Sequence, residues 1–511
     1  MRGDDSLLAL LAGDKTSAAT VLIKLAEERY RLGMMTTGDA FGVPVDGSNV
    51  ARLLRGGRRS LKAELAAAYY AKHQAAAPGQ ALTDALLVLE GKAQNMMPTD
   101  VALRIATTDD GEVVLDLGGD DGRAVVIGPA GWQVVTTSPV LFRRTRATLP
   151  LPVPVRAVGA MHAGLGRLRQ LLNIHDGEWP LVLAWLVSAL LADVPHPVLL
   201  LRGEQGTAKS TAARLLTSLI DPCASQLRTA PRNVEDWAVA ASGSWMTCLD
   251  NVSDIPPWLS DAICRAVTGD GLLRRQLFTD SDVSVLAFRR VVAMTSIDPG
   301  RLHGDPADRL LVVELARIDE ANRAADRSVT AAWRAAHLAV LAGLLDLTTE
   351  VLRVLPTIRR RQLPRMADFA RVLLAVDQVL DTDGYARYTE QAGQVAEQVV
   401  EADSVALAVR DRITFPWQGT AGELLDKLAA ERPPKDWPTT PQGMGGRLAR
   451  AAPALRSLGW SIDAPDRSKR TRVWTITPPS SAPGEPPAQM ALMEPPDETP
   501  SDQGGRGADD D

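Results

Sequence analysis

The thirteen residues Leu199 to Thr211, LLLRGEQGTAKST, join an apolar run to a glycine-containing loop that ends in Lys209, Ser210 and Thr211. That order of residue types suits the gripping of a polyphosphate. Backbone N–H groups of Gly203, Glu204, Gln205, Gly206, Thr207 and Ala208, with the start of the following helix, would wrap phosphate oxygens. Lys209 would reach the β- and γ-phosphates, and the Ser210 hydroxyl would ligate magnesium. Gly203, Lys209 and Ser210 fall in P-loop register, but Ala208 stands where a second glycine is usual, with Gly206 two positions earlier. Alanine enters left-handed backbone space less cheaply than glycine, so the loop is expected to be altered rather than abolished. An ordinary strand, turn and helix with a chance Lys-Ser is the alternative. Against it stand the buried-strand pattern of Val198 to Leu201 and the helical continuation from Ala212 to Ile220.

Magnesium bound to a nucleotide calls for a carboxylate at the end of a neighbouring buried strand. Trp245 to Leu249 reads as that strand and Asp250 ends it, although an Asp-Asn turn would look the same. Asn251 occupies the place of a second acid. An amide orients water but cannot accept its proton, so hydrolysis either uses another acid, with Glu204, Glu235 and Asp254 as candidates, or is slow. A third strand, Arg290 to Thr295, ends in Thr295-Ser296, whose hydroxyls could sense a γ-phosphate. Arg309 precedes a further apolar strand, Leu310 to Leu315, where it would reach a nucleotide on a neighbouring subunit or simply pair with Asp305 or Asp308.

Around these residues, 511 positions give room for about three domains. Cys223, Cys248 and Cys264 lack paired spacing, which points to a reducing cytoplasm. Trp179 to Ala192 is shorter than the roughly 20 residues that cross a bilayer, so it is expected to be a core helix and no membrane partner is expected. Net charge is −6, yet the stretch from Pro479 onward holds eight acids against Arg506, leaving the rest near neutral. The expected divisions are a helical region over 1–95, a small β-rich region over 96–147, a proline-rich linker over 148–160, an ATPase with a helical extension over 161–410, a nucleic-acid module over 411–478 and a disordered acidic tail over 479–511. Within the first, Arg52, Arg55, Arg58, Arg59 and Lys62 form a basic patch best read as a solvated face.

In the nucleic-acid module, Thr420 and Glu423 form a capping box ahead of Leu424, Leu425 and Leu428. Thr440-Pro441 starts a second helix expected to expose Arg447, Arg450 and Arg456. Trp460 to Asp463 and Arg470 to Thr477 read as a hairpin with a basic turn, with Arg470 and Arg472 on the face of Trp474. Two helices and a basic hairpin describe a winged helix, with Arg447, Arg450, Arg456, Lys469, Arg470 and Arg472 available for phosphates. Partner docking is the alternative. The acidic tail could compete with DNA for this surface, making binding salt-dependent.

GEQGTAKST, CLDN, VTGDGLLRRQLFTD, VVAMTSI and ADRLLVVEL follow the order and spacing of superfamily 3, AAA+-like helicase ATPases. The chain most resembles replication primase-helicase ATPases of phages, plasmids and integrated elements, particularly the actinobacterial phage-type ATP-binding proteins; LPRMADFA at Leu363 to Ala370 is also similar. The resemblance implies an α/β fold: an AAA+-like P-loop core between an N-terminal α+β region and a C-terminal winged helix. It further implies ATP and Mg2+ as cofactors and a hexameric homo-oligomeric ring moving on DNA as a helicase. By position, Asp250 would hold magnesium with Ser210, Ser296 or Thr295 would sense phosphate, Arg309 would be the finger acting between subunits, and Arg274 and Arg275 would lie on a DNA-tracking hairpin unless they pair with Asp270, Asp280 and Asp282. The family more often has Asn at the Thr-Ser pair. A slowly hydrolysing, nucleotide-gated DNA-binding switch is the rival reading, favoured by Asn251. A scaffold for a separate primase or polymerase is a third.

Overall fold

The computed structural model describes residues 17–45, 47–56, 60–269, 272–275, 283–286, 289–297, 309–319, 321, 324–361, 363–429, 432–434, 436–464 and 473–479, with only the backbone course given for 272–275 and 283–286. Arg58, Arg59, Asp270, Asp280, Asp282, Asp305, Asp308, Lys469, Arg470, Arg472 and the acidic tail lie outside the described residues.

The N-terminal region corrects the helical expectation. Helix α1 (Ala18–Arg29) leads into strands β1 (Tyr30–Met35), β2 (Ala40–Pro44) and β3 (Val50–Leu53), followed by α2 (Leu61–His73) and α3 (Gly79–Gln94). Glycine hides these strands from a reading of local pattern. Gly33 and Gly42 interrupt the apolar alternation, and a Cβ at Gly33 would fall 2.5 Å from the Phe41 ring on the paired strand. Two short strands from the next region, β4 (Pro98–Thr99) and β9 (Phe142–Arg143), complete the sheet in the order β4-β1-β2-β3-β9. Between them β5 (Ile105–Thr107), β6 (Val113–Asp116), β7 (Ala124–Gly128) and β8 (Gly131–Val135) form an antiparallel meander, within the region expected to be β-rich. Its apolar face shares one core with the central helices rather than closing on itself.

Residues 148–155 are extended, but they are not a free tether. Leu149 N–H bonds Pro222 O, Leu151 N–H bonds Leu117 O, and the Leu151 side chain is buried. Four buried charges tighten the same junction. Arg104, with no solvent exposure, donates to an Asp221 carboxylate oxygen at 2.8 Å and to the carbonyls of Asp116, Leu149 and Pro222. Arg144 makes a two-pronged pair with Asp116 at 2.6 and 3.0 Å. Breaking such a pair strands the other charge in a dry interior, so Arg104–Asp221 holds the meander against the centre and Arg144–Asp116 fixes the meander to the segment after β9.

In the centre, α4 (Ala160–Leu171) and α5 (Trp179–Ala189), buried from Pro180 onward, precede β10 (Val198–Arg202), α6 (Lys209–Ile220), α7 (Val234–Gly243), β11 (Met246–Leu249), α8 (Pro257–Thr268), a two-stranded ribbon of β12 (Leu272–Arg275) and β13 (Val283–Leu286), β14 (Val291–Ser296) and β15 (Leu310–Glu314). The sheet is parallel, in the order β11-β14-β10-β15. A lone parallel bridge from Arg228 to Leu249 extends it beyond β11. The strands are buried on both faces, which explains their unbroken apolar runs. The 29-residue α9 (Asp326–Val354) crosses α4 closely: a Cβ at Gly164 would meet Ala339 O at 2.2 Å, so glycine is obligatory there. Helices α10 (Ala367–Leu380), α11 (Gly384–Ala402) and α12 (Ser404–Arg412) follow.

The last unit comprises β16 (Trp417–Thr420), α13 (Ala421–Lys427), α14 (Pro441–Ser457), β17 (Ser461–Asp463) and β18 (Val473–Thr477), with sheet order β16-β18-β17. The capping box forms as expected, and Thr440 caps α14. The boundary at residue 411 needs correction. Val399, Val400, Val405, Ala406, Val409 and Ile413 share one core with Leu424, Leu448, Trp474 and Ile476, so α12 and the end of α11 pack as part of this unit. Periodicity alone could not assign a helix to one of two adjoining cores.

Candidate functional site

The Gly203–Thr211 loop leaves the C-terminal end of β10 and returns as α6, so the free N–H groups of the first helical turn face the sheet's carboxyl edge. Thr207, 1% exposed, donates to Glu204 O at 2.9 Å and folds the loop over. Gly203 has no room for a side chain: a Cβ would lie 2.8 Å from Thr207 Oγ1 and 3.0 Å from Leu315 O. Gly206 has φ 83°, and Ala208 has φ 61° and ψ 29°. Ala208 thus occupies the left-handed conformation that the missing glycine would have taken at lower cost.

Lys209 turns back into the loop, its Nζ donating to Gly203 O at 2.6 Å and Glu204 O at 2.7 Å. Partial desolvation lowers its pKa from the usual lysine value, opposed by the nearby Asp250 carboxylate. Three side chains from separate segments converge beside it. Ser210 Oγ donates to Asp250 at 2.9 and 3.2 Å, and Thr295 Oγ1 donates to Asp250 Oδ1 at 2.5 Å. The Asn251 N–H in turn donates to Thr295 Oγ1 at 2.8 Å. Because β14 lies between β10 and β11, the end of β14 supplies the hydroxyl that bridges the loop's side of the sheet to the Asp250 side. Asn251 itself has φ 54°, and its residue is exposed.

The two hydroxyls at 295 and 296 have different tasks. Ser296 Oγ donates to Val252 O at 2.7 Å and is buried, whereas Thr295 faces Asp250. Two further residues join the site with no sequence signal to announce them. Asn173 donates to Ala316 O and, at 3.5 Å, to Thr207 O, tying the loop to the exit of β15. It lies 34 positions before Thr207, with no motif to mark it. Arg228 brackets Asp250 from the other side: Asp250 N–H bonds Arg228 O, while the guanidinium donates to Ser225 O, Ala240 O and Ser244 Oγ. Glu204, Glu235 and Asp254 are all exposed, and none hydrogen-bonds the Asp250 cluster among the described residues. Arg309 immediately precedes β15.

Of the basic residues expected on DNA, Arg274 and Arg275 fall on the β12–β13 ribbon. Arg447 requires correction: it is not a free basic side chain. It pairs with Asp403 at 2.9 Å and Asp436 at 2.8 Å, clamping α14 to the N-cap of α12. Arg456 donates to Ile462 O, while Arg450 is exposed with no ion pair among the described residues. Trp474 and Ile476 point into the core of this unit. The basic patch of the first region is partly neutralised, Arg52 by Glu64 and Arg55 by Glu90.

The geometry defines a mixed α/β protein with a parallel central sheet, a glycine-containing loop at its carboxyl edge and a separate C-terminal unit. Residues 165–395 match the family model of the actinomycete integrative conjugative element replication protein, and residues 402–491 match that of the AICE RepA C-terminal domain. The chain carries both RepA domains and is a replication protein of a mobile element. The second match begins at residue 402, at the junction of α11 and α12, within the stretch that packs into the C-terminal core. Among solved structures, the chain is similar to the apo A form of the NrS-1 C-terminal region (11% identity, 90% of this chain and 99% of that one, TM-score 0.38). It is also similar to JCV helicase (13% identity, 47% and 66%, TM-score 0.25). Likenesses at those scores are too distant to assign a role. No curated protein matches the chain. Among the described residues no helix is long and apolar enough to cross a membrane.

Proposed function

We propose that this replication protein is a P-loop ATPase of AAA+-like architecture that binds Mg-ATP on the Gly203–Thr211 loop and acts on DNA as a helicase-type motor. It works as a cytoplasmic homo-oligomeric ring, a hexamer, with a winged-helix unit at its C-terminal end. The observation that carries this reading is the Ser210–Asp250–Thr295 cluster beside Lys209. A carboxylate and a hydroxyl 2.9 Å apart are hard oxygen donors of the kind magnesium takes together with phosphate oxygens and water. Bound magnesium would neutralise charge on the β- and γ-phosphates. Lys209, now satisfied by two loop carbonyls, would transfer its donors to phosphate oxygens, and the α6 N–H groups would hold the rest. The parallel order β11-β14-β10-β15 supports the architecture by interposing β14 between the loop strand and the Asp250 strand. Arg309, at the start of β15, is the group we assign to a neighbouring subunit's nucleotide.

The second reading, a nucleotide-gated DNA-binding switch with slow turnover, is favoured by Asn251. Its amide follows Asp250 where a proton acceptor would serve hydrolysis, and no other carboxylate joins the cluster among the described residues. Lys209→Ala decides on the site: ATP hydrolysis should disappear with thermal unfolding unchanged, and undiminished turnover would reject the assignment. DNA-stimulated turnover with displacement of a forked strand supports the motor. Nucleotide-dependent DNA binding without turnover supports the switch.

A further inference from the structure

The segment joining α9 to α10 carries a dense run of positive charge. From Arg353 to Arg371 there are six arginines (Arg353, Arg359, Arg360, Arg361, Arg365 and Arg371) against one acid, Asp368, in a chain whose net charge is −6. A short 3-10 turn, Leu355–Thr357, breaks the helix, and Arg359, Arg360 and Arg361 follow in irregular backbone, all exposed. None of the three forms an ion pair among the described residues. Arg359 is braced on the carbonyls of Pro356 and Ile358, at 2.7 and 3.3 Å. The Arg360 guanidinium lies 4.2 Å from the centre of the Tyr385 ring, which holds one face flat.

Three acids on the flanking helices are engaged elsewhere. Glu350 pairs with Arg353, Asp346 accepts from Trp132, and Asp377 accepts from Thr382 and from the N–H groups of Gly384 and Tyr385. Asp381 and Asp383 sit on the turn before Tyr385 without pairing to these arginines. Arg353 also bonds Pro129 O in the β7–β8 turn, where Arg156 stacks over Trp132.

We propose that Arg359, Arg360 and Arg361 form a second DNA-binding surface, gripping the phosphate backbone without reading sequence, on the helical extension and apart from the C-terminal unit. The braced guanidinium groups of Arg359 and Arg360 lose little side-chain freedom on meeting phosphates, and single-stranded or duplex backbone is the polyanion a replication protein meets. DNA as partner rests on the reading above. ATP turnover does not enter the test, so failure of the ATPase site and failure of this surface remain distinct.

The test uses the full-length chain, wild type against a triple Arg359→Gln, Arg360→Gln, Arg361→Gln variant and a triple lysine variant. Each binds a labelled single strand and its duplex over a salt titration. With three phosphates no longer neutralised, the glutamine variant should lower the slope of log affinity against log salt by about 2 on single strand and about 3 on duplex. Melting should not change, and the lysine variant should keep its slope. An unchanged slope in the glutamine variant, equal losses in both variants, or no salt-dependent binding by the wild type would overturn the proposal. So would an unchanged slope with lost affinity for a peptide of residues 480–511, which would give the surface to the acidic tail.

Discussion

Replacing Thr295 by valine keeps the shape of a side chain that is 1% exposed and removes one hydroxyl. That hydroxyl donates to Asp250 Oδ1 at 2.5 Å and accepts the Asn251 N–H at 2.8 Å. A hydrogen bond to a charged group contributes about 1.5–3 kcal/mol. Because residue 251 is exposed, water can take up its N–H, so the loss is concentrated on the carboxylate. If Asp250 is the magnesium ligand, freeing it to rotate should reduce ATP turnover about 10- to 150-fold, at roughly 1.4 kcal/mol per decade. The deficit should shrink as magnesium is raised. Steady-state ATP hydrolysis across a magnesium titration reads this directly. Thr295→Ser, which restores the hydroxyl, should recover most of the activity. Ser296→Ala removes the buried bond to Val252 O and should lower stability without shifting the magnesium requirement. Wild-type magnesium dependence in Thr295→Val would refute the idea that this hydroxyl positions the ligand.

Other perturbations follow from the same structure. Ala208→Gly relieves a left-handed alanine worth about 1–2 kcal/mol, partly offset by about 0.4–1 kcal/mol of added unfolded-chain entropy. A net gain of up to about 1.6 kcal/mol in denaturant unfolding is expected, and a loss of stability would mean the position is not strained. Arg104→Met leaves Asp221 without its partner in a dry junction and should cost about 3–5 kcal/mol, seen as a lower unfolding midpoint; a neutral outcome would show that the meander is not held by this pair.

The linear order of residues marks the glycine-containing loop, the buried strands of the centre, the Asp250 strand end, a small β unit and the capped helices of the last unit. Each is written in local pattern: apolar runs for strands buried on both faces, short apolar runs between glycine-containing turns for the small β unit, and Thr420 with Glu423 for a helix start. The N-terminal strands escape such a reading because Gly33 and Gly42 are chosen by their cross-strand neighbours, Phe41 and Tyr30, not by local preference. Tertiary structure alone decided which of two adjacent hydroxyls meets Asp250, since neighbouring strand residues point to opposite faces and the pairing of β14 with β10 and β11 orients them. It alone decided that Arg447 is a clamp, because Asp403 lies 44 positions away and is adjacent only when α12 and α14 pack. Charge composition says how many arginines a segment holds. Which of them are neutralised depends on the acids that folding brings within reach.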